Sequence, residues 1–341
     1  MLRIGINGLG RIGRTLLRVN STNKKFRIVL VNELNPSIEN MTYLIKYDSV
    51  YKNFPGEVTI KNNNLLIDNK EVLFTNKEDI SSVPWSDNDV DIVIDSSGVS
   101  KNIISSKNIV NSENRLKVIV THSSSDVDKE VVLGVNDNTL ESNDRVVSNS
   151  ICDANAISHF IKWINDEYEI ATGSVTTLHP WLSYQNLSDG PAISQSNPGV
   201  IWPDFSLGRS SVGSLIPKNT TAVQATEKII PEIKNKLLSM SFRIPTAIVG
   251  SSDITLLLNK TPEETKFREF LLEKIKNSEF VKANEESLVS VDYEAMSYSA
   301  ALDMPWLKIK DNIVKLVVWY DNEWGYCSRV LDLAEKLSQI K

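Results

Sequence analysis

Apolar side chains at Ile157, Phe160, Ile161 and Ile164 fall at i, i+3, i+4 and i+7, the spacing of one helix face, and Cys152 opens that run. A strand-like segment, Arg145 to Ser148, comes just before it. Earlier in the chain, short apolar runs at Arg3 to Asn7, Arg27 to Asn32, Asp91 to Asp95 and Lys117 to Thr121 read as strands, with helical spacing through Leu16, Leu17 and Val19 after the first. Glu57 to Ile60 and Leu65 to Ile67 read as two strands joined by an exposed turn at Lys61-Asn62-Asn63-Asn64. Beyond the central helix, apolar and polar positions alternate in Glu169 to His179, Ser239 to Pro245, Ser251 to Asn259 and Asn312 to Asp321, which predicts an antiparallel sheet with one open face. The stretch from Pro180 to Pro217 has no period and reads as a long loop, a length that is usually functional or disordered. Val330, Leu333, Ala334, Leu337 and Ile340 share one face of a last helix that should pack back onto another layer.

The first strand runs into Gly8-Leu9-Gly10-Arg11-Ile12-Gly13, a Gly-x-Gly-x-x-Gly turn between strand and helix. Such glycines allow a tight turn and bring a pyrophosphate close to the helix N-terminus, where backbone N–H groups can hold it. The second strand ends at Glu33, 20 positions after Gly13, where a carboxylate can take the adenosine ribose hydroxyls and repel the extra phosphate of NADP. Ser96-Ser97-Gly98 and Thr121-His122-Ser123 end two further strands, and hydroxyls such as those of Ser97 and Thr121 are expected to line the ribose and pyrophosphate. The first half is therefore an α/β, doubly wound parallel sheet that binds a dinucleotide.

Cys152 gains meaning from its place at a helix start, where the dipole and unpaired N–H groups favour a thiolate. A buried structural thiol is the competing reading, and a nearby base decides between them. Of the three histidines, His159 falls within the helix and is expected to be packed, and His122 has a structural role as the expectation. His179 ends a strand just before the long loop. A Cys–His pair beside a nicotinamide site is the constellation of an aldehyde dehydrogenase working through a thiohemiacetal.

Length and composition narrow the class. At 341 residues, with 41% apolar and 23% charged residues, the chain reads as a two-domain globular protein. A net charge of -6 gives no broad basic field, so nucleic acid is not expected as a partner. No stretch approaches the ~18 apolar residues of a membrane span. Two cysteines support neither a disulfide framework nor paired metal-ligand spacing, and with no signal-like start the expectation is a reduced, cytoplasmic protein with no membrane partner.

Long motifs carry a resemblance across the whole chain: GINGLGRIGR at the start, LIKYDSVYKNFPGEV from Leu44, LGVND from Leu133, SNSICDAN around Cys152, TTLH ending at His179, SFRIPT around Arg243 and WYDNEWGY from Trp319. The sequence resembles the phosphorylating glyceraldehyde-3-phosphate dehydrogenase family. The resemblance implies NAD as cofactor, a small-molecule aldehyde substrate and a homotetramer. It implies an NAD-binding Rossmann domain over 1–151, completed by a C-terminal helix at 325–341, and an α+β catalytic domain over 152–324 with a mostly antiparallel sheet. By matched motif, Cys152 is the nucleophile, His179 its base, and Asn322 holds the nicotinamide carboxamide. Asn7, Gly8, Gly10, Gly13 and Glu33 belong to the cofactor site, with Arg11 and Ile12 touching the pyrophosphate; Arg243 and Thr220 bind substrate. Glu33 stands where the family usually has Asp, and Asp189-Gly190-Pro191 keeps the proline of NAD-using members.

The chain departs from the family at the anion sites. Where the family reads Ser-Cys-Thr-Thr-Asn, this chain has Ile151, Asp153 and Ala154 around Cys152, so hydroxyl donors have become apolar groups and a carboxylate. Leu182 and Tyr184 replace a Thr and an Asp, and Lys218-Asn219-Thr220-Thr221 lacks the family's glycine. Asp153 is expected to raise the thiol's pKa and to cost on the order of 1 to 4 kcal/mol against a phosphate at 4 Å. The reading is oxidation of glyceraldehyde 3-phosphate or a close relative with phosphorolysis. Two alternatives stand beside it: a member using another aldehyde and a non-phosphate acceptor, and a non-catalytic nucleotide-binding paralogue.

Overall fold

The computed structural model describes residues 1–112, 115–194, 197 and 199–340; positions 195, 196 and 198 of the long loop, and Lys341, lie outside the described residues. The chain divides into two compact units: Met1–Glu130, Leu140–Ser150 and the segment from Cys327 form one, and Val131–Thr139 and Ile151–Tyr326 the other.

In the first unit, nine strands form one sheet in the order Lys129–Glu130, Val146–Ser148, Lys117–Val120, Ile92–Asp95, Arg3–Asn7, Arg27–Asn32, Lys70–Thr75, Asn64–Ile67 and Val58–Lys61. The first seven are parallel, and the last two add an antiparallel hairpin. Arg3–Asn7 has the second strand on one side and the Ile92–Asp95 strand on the other, so the winding reverses at its carboxyl end. That is where a doubly wound sheet opens a ligand crevice. The core beneath it is made of Leu30, Val93, Val118, Val120 and Trp85. Asn62 and Asn63, both at positive φ, make the turn of the hairpin, a conformation Asn tolerates better than most residues.

The parallel strand Lys70–Thr75 was not predicted from its pattern, because only Val72 of its six residues is buried. Helix Asn102–Ser112 also lacks a clean apolar stripe in sequence, whereas helix Ile38–Lys46 has one that the sequence reading does not use, with Ile38, Met41, Thr42 and Ile45 buried at i, i+3, i+4 and i+7. Helix Trp324–Gln339 stops one residue short of Ile340. Within the first unit, its Glu335 pairs with Lys25 at 3.1 Å, and the Leu337 carbonyl accepts Lys117 Nζ at 2.8 Å.

The second unit carries Cys152–Tyr168 as its central helix and a mainly antiparallel sheet in the order Ile216–Lys218, Leu237–Ile244, Ile170–Pro180, Gly250–Leu258, Ile313–Tyr320, Ala300–Asp303 and Val281–Asn284. Ile170–Pro180 and Leu237–Ile244 pair in parallel, as do the last two strands. Ile157, Phe160, Ile161 and Ile164, the four residues of the sequence stripe, are all fully buried against Val175, Ile254, Leu256 and Leu316. Segment Val131–Thr139, expected within the first domain, groups with this unit instead: Val132 joins its core, and Gly134 lies so close to Phe280 that an added Cβ would sit 2.5 Å from that ring.

Candidate active site

The nucleotide cradle is built from main chain. Gly8 has φ +92°, and an added Cβ there would sit 2.9 Å from the Ser97 backbone. At Gly13 it would sit 2.0 Å from the Gly8 carbonyl oxygen, so the third glycine lets the helix close on the turn. At Gly10 an added Cβ meets nothing within 4 Å, and Gly10 caps helix Arg11–Asn23 without a side-chain hydrogen bond. The turn thus leaves open space over an uncapped helix start, where Arg11, Ile12 and Gly13 supply the first N–H groups, the geometry that receives a pyrophosphate.

Side chains brace this turn. Asn7 Nδ2 donates to Asp95 Oδ1 at 2.9 Å, and Asn7 Oδ1 accepts Asn32 Nδ2 at 2.8 Å. Asp95 is fully buried, and desolvation pushes its pKa up. Glu33 Oε2 accepts the Leu9 N–H at 2.6 Å, which fixes the acid against the glycine loop. Arg11 does not extend freely toward a phosphate: its guanidinium pairs with Asp48 and lies over the Tyr51 ring, leaving its backbone N–H as its contribution to the cradle. Ser97 Oγ accepts the Val99 N–H and Asn102 Nδ2, and Thr121 Oγ1 donates to the Asp95 carbonyl. Both hydroxyls expected along the ribose are therefore also clasps within the crevice wall. His122 lies two residues beyond the Lys117–Val120 strand rather than ending it, and its pKa is depressed by burial.

In the second unit, the helix begins at Cys152 as predicted, with Ile151 as an extended N-cap and no side-chain cap. Cys152 Sγ lies 3.6 Å from His179 Nε2. His179 Nδ1 lies 2.8 Å from the Pro180 carbonyl, which can only accept, so Nδ1 carries the proton and Nε2 turns its lone pair to the sulfur. His179 and Arg243 are direct neighbours in register on the parallel strands Ile170–Pro180 and Leu237–Ile244, which puts both on one face. Arg243 is 6% exposed; it donates to Tyr184 Oη at 3.1 Å, and its Nε is buried without a partner.

The electrostatics weigh two opposed expectations, the helix start favouring a thiolate and Asp153 opposing it. Burial pushes the Cys152 thiol well above its ordinary value, and Asp153 adds to the rise, outweighing the helix-start N–H groups and Arg243. Burial and the Arg243 charge push His179 down to about 4. The resting pair is therefore neutral, S–H facing a lone pair, rather than a thiolate favoured by the helix terminus. Asp153 itself is 7% exposed and accepts a close hydrogen bond from Tyr320 Oη. Burial, then Asp153, hold the Tyr320 phenol well above its ordinary value, so it stays a donor.

Asn322 is 5% exposed, and its Oδ1 accepts the Val249 N–H at 3.1 Å. Val249 sits at φ +67°, a strained conformation for a β-branched residue, and this bond helps hold it. Thr220 Oγ1 accepts the Ala222 N–H at 3.2 Å, a local turn that opens helix Ala222–Ile229. His159 packs against the rings of Trp163 and Phe280, and Cys327 is fully buried within the first unit.

Two residues of this site had no role assigned from sequence. Lys218 lies two positions after buried Ile216 on one strand, hence on the same face, and burial and Arg243 lower its pKa to about 8 against the pull of Asp153 and Asp204. Tyr320 ends the Ile313–Tyr320 strand in register with the buried alternate positions Leu316 and Val318, a period-2 signal that points it inward.

A doubly wound unit with a glycine cradle and a second unit with a Cys–His pair define an NAD-dependent oxidoreductase. Comparison with known proteins is more specific. The family model for the glyceraldehyde 3-phosphate dehydrogenase NAD binding domain matches residues 2–103, and that for the C-terminal domain matches residues 151–322. The chain is 35% identical over 341 residues to glyceraldehyde-3-phosphate dehydrogenase 1 of Kluyveromyces marxianus, covering 99% of this chain and 100% of the relative. It is 34% identical over 342 residues to glyceraldehyde-3-phosphate dehydrogenase 3 of Saccharomyces cerevisiae, with 99% and 100% covered, and 34% identical over 341 residues to the enzyme of Schistosoma mansoni, with 99% and 98% covered. The chain belongs to the glyceraldehyde-3-phosphate dehydrogenase family. Its cofactor is NAD. Among the described residues, no helix is long and apolar enough to cross a membrane.

Proposed function

We propose that the protein oxidises glyceraldehyde 3-phosphate, with NAD as oxidant and inorganic phosphate as acyl acceptor, through a thioester on Cys152. The observation that carries this reading is the Cys152–His179 contact, with Nε2 as the acceptor facing sulfur at 3.6 Å. Cys152 Sγ attacks the aldehyde carbon while His179 Nε2 takes the thiol proton, giving a thiohemiacetal once the new alkoxide is protonated. Held by the Gly8–Gly13 turn, Glu33 and Asn322, NAD would supply the hydride acceptor, while His179 takes the hydroxyl proton as the carbonyl re-forms. Phosphate then attacks the thioester carbon, the acyl phosphate leaves, and Cys152 regains a proton.

Arg243 is suited to the substrate's anionic group, because a buried guanidinium with an unpartnered Nε favours a bidentate oxyanion. Lys218 adds charge on the same sheet face. The Asn322 amide, anchored through Oδ1, keeps Nδ2 for the nicotinamide carboxamide. The Gly8–Gly13 turn holds the pyrophosphate, and Glu33 takes the adenosine ribose hydroxyls and selects NAD over NADP. A homotetramer is supported by apolar side chains left on the surface of the second unit, Leu187 at 79%, Phe205 at 81% and Leu215 at 67% exposure.

Steady-state formation of NADH tests the reading. Activity with NAD and glyceraldehyde 3-phosphate should saturate with phosphate, be much weaker with NADP, and vanish in Cys152→Ala. NADH formation that continues unchanged without phosphate would refute the phosphorolysis step and leave the dehydrogenase step standing.

A further inference from the structure

Beside the thiol and the imidazole stands a carboxylate that the redox chemistry does not use. Donor atoms of Cys152, Asp153 and His179 all lie within 4.8 Å of one another, the one group of three or more such residues that could hold a metal ion among those described. Thiolate, neutral imidazole and carboxylate are the three donor types that zinc takes. The sulfur–nitrogen separation fits the metal. A Zn–S bond of about 2.3 Å and a Zn–N bond of about 2.05 Å, at a tetrahedral angle, put sulfur and nitrogen about 3.6 Å apart; the observed separation is 3.6 Å. The outer contacts are in place as well. His179 Nδ1–H is held by the Pro180 carbonyl, which fixes the tautomer with Nε2 free to ligate, and Tyr320 Oη orients the Asp153 carboxylate.

We propose that Cys152, His179 and Asp153 form a site for Zn2+, three protein ligands with one open position, and that its occupancy reversibly removes the nucleophile from catalysis. Binding converts the thiol to a zinc thiolate and releases its proton to solvent, with no change in oxidation state. Two anionic ligands balance the dication, while Arg243 and Lys218, which act on His179 electrostatically, oppose its approach and limit affinity. Where the family has a hydroxyl beside the nucleophile, this chain supplies the third ligand itself, and the pair becomes a chelate.

Titration of the full chain with Co2+ as a spectroscopic stand-in tests the site without any aldehyde or NAD, so its failure is separate from failure of the dehydrogenase reading. We expect one Co2+ per chain with a sulfur-to-cobalt charge-transfer band, displaced by Zn2+, removed by EDTA and absent in Cys152→Ala. Asp153→Asn should weaken Zn2+ in competition by at least about tenfold, since loss even of an outer-shell partner costs 10- to 100-fold. Should that variant not fold, Asp153→Thr carries the same comparison with the family's own residue. No charge-transfer band at saturating Co2+, or equal Zn2+ affinity in wild type and a folded Asp153 variant, would overturn the proposal.

Discussion

The two units keep their inheritance in different materials. In the first, the cradle is backbone: Gly8 at positive φ, Gly10 over open space, Gly13 packed on the Gly8 carbonyl. In the second, the proposed chemistry rests on side-chain functional groups, Cys152, His179, Arg243 and Asp153. A main-chain site tolerates drift around it, so Glu for Asp at position 33 still reaches the glycine loop through Leu9 N–H. A side-chain site is rewritten by each replacement: Asp153 in place of a hydroxyl raises the thiol's pKa, and Lys218 brings a partly neutralised ammonium onto the same face. The lesson is that a main-chain cradle can outlast changes that retune a site made of side chains.

The sharpest way to break that comparison is Cys152→Ala. Loss of the nucleophile should lower kcat/KM by at least about three orders of magnitude, as removal of a covalent nucleophile does. NAD affinity, measured by quenching of tryptophan fluorescence, should stay within about twofold. A parallel collapse of NAD binding would show that the two sites are not separable.

His179→Asn should cost about 10²- to 10⁴-fold in kcat/KM, the usual range for a general base. It also has a pH signature. The folded pKa near 4 lies below the unfolded value near 6.5, so between them the unfolded chain binds more protons and stability falls as pH drops. The contribution is complete above about pH 6.5 and is lost toward pH 4, on the order of 3 kcal/mol. Urea unfolding at pH 7 and pH 4.5 should therefore show a smaller acid loss in His179→Asn than in wild type. An equal loss in both would refute a depressed His179.

Gly13→Ala carries the comparison to the first unit. Its Cβ would meet the Gly8 carbonyl oxygen at 2.0 Å, a backbone atom that cannot swing aside, so turn and helix must separate. Overpacking of this kind costs about 1–3 kcal/mol, or roughly 5- to 150-fold in NAD affinity if it all falls on the binding-competent turn. Cys152 alkylation by iodoacetamide should be unchanged, which marks the lesion as local to the cradle.

How much of this was legible follows from the same contrast. The fingerprint glycines, the buried stripe Ile157, Phe160, Ile161 and Ile164, and the helix start at Cys152 could be read because turns and periodic faces leave local marks in sequence. Strand Lys70–Thr75 was not legible, since one buried residue in six leaves no period. Segment Val131–Thr139 joined the other unit through contacts with Phe280 and His159, far away in sequence. At the site, Asp153 was visible as a charge that raises the thiol's pKa, but its partner Tyr320 lies 167 residues away and no spacing rule connects them. The size of the Cys152 shift was not legible for a related reason: the helix terminus and Asp153 are local features that oppose each other, whereas desolvation, the larger cause, depends on the whole packed surround.

The smallest expected effect tests the retuned half most directly. Asp153→Thr restores the family's hydroxyl and removes a carboxylate from beside the thiol. Burial, the larger cause of the raised Cys152 pKa, remains, so the pKa moves down without reaching the range of a free thiolate at neutral pH. Like charges 4 Å apart repel by about 1 kcal/mol even at the dielectric of water, so the thiolate fraction at pH 8 should rise by about fivefold. The rate of iodoacetamide alkylation of Cys152, followed by loss of activity, should rise with it, and the KM for phosphate should fall because a donor has replaced a repelling charge. Tyr320 stays buried, and the threonine hydroxyl can still accept from its Oη, so the fold should tolerate the exchange. An unchanged alkylation rate would mean that Tyr320 already neutralises Asp153 and that the rebuilt pocket acts through shape rather than charge.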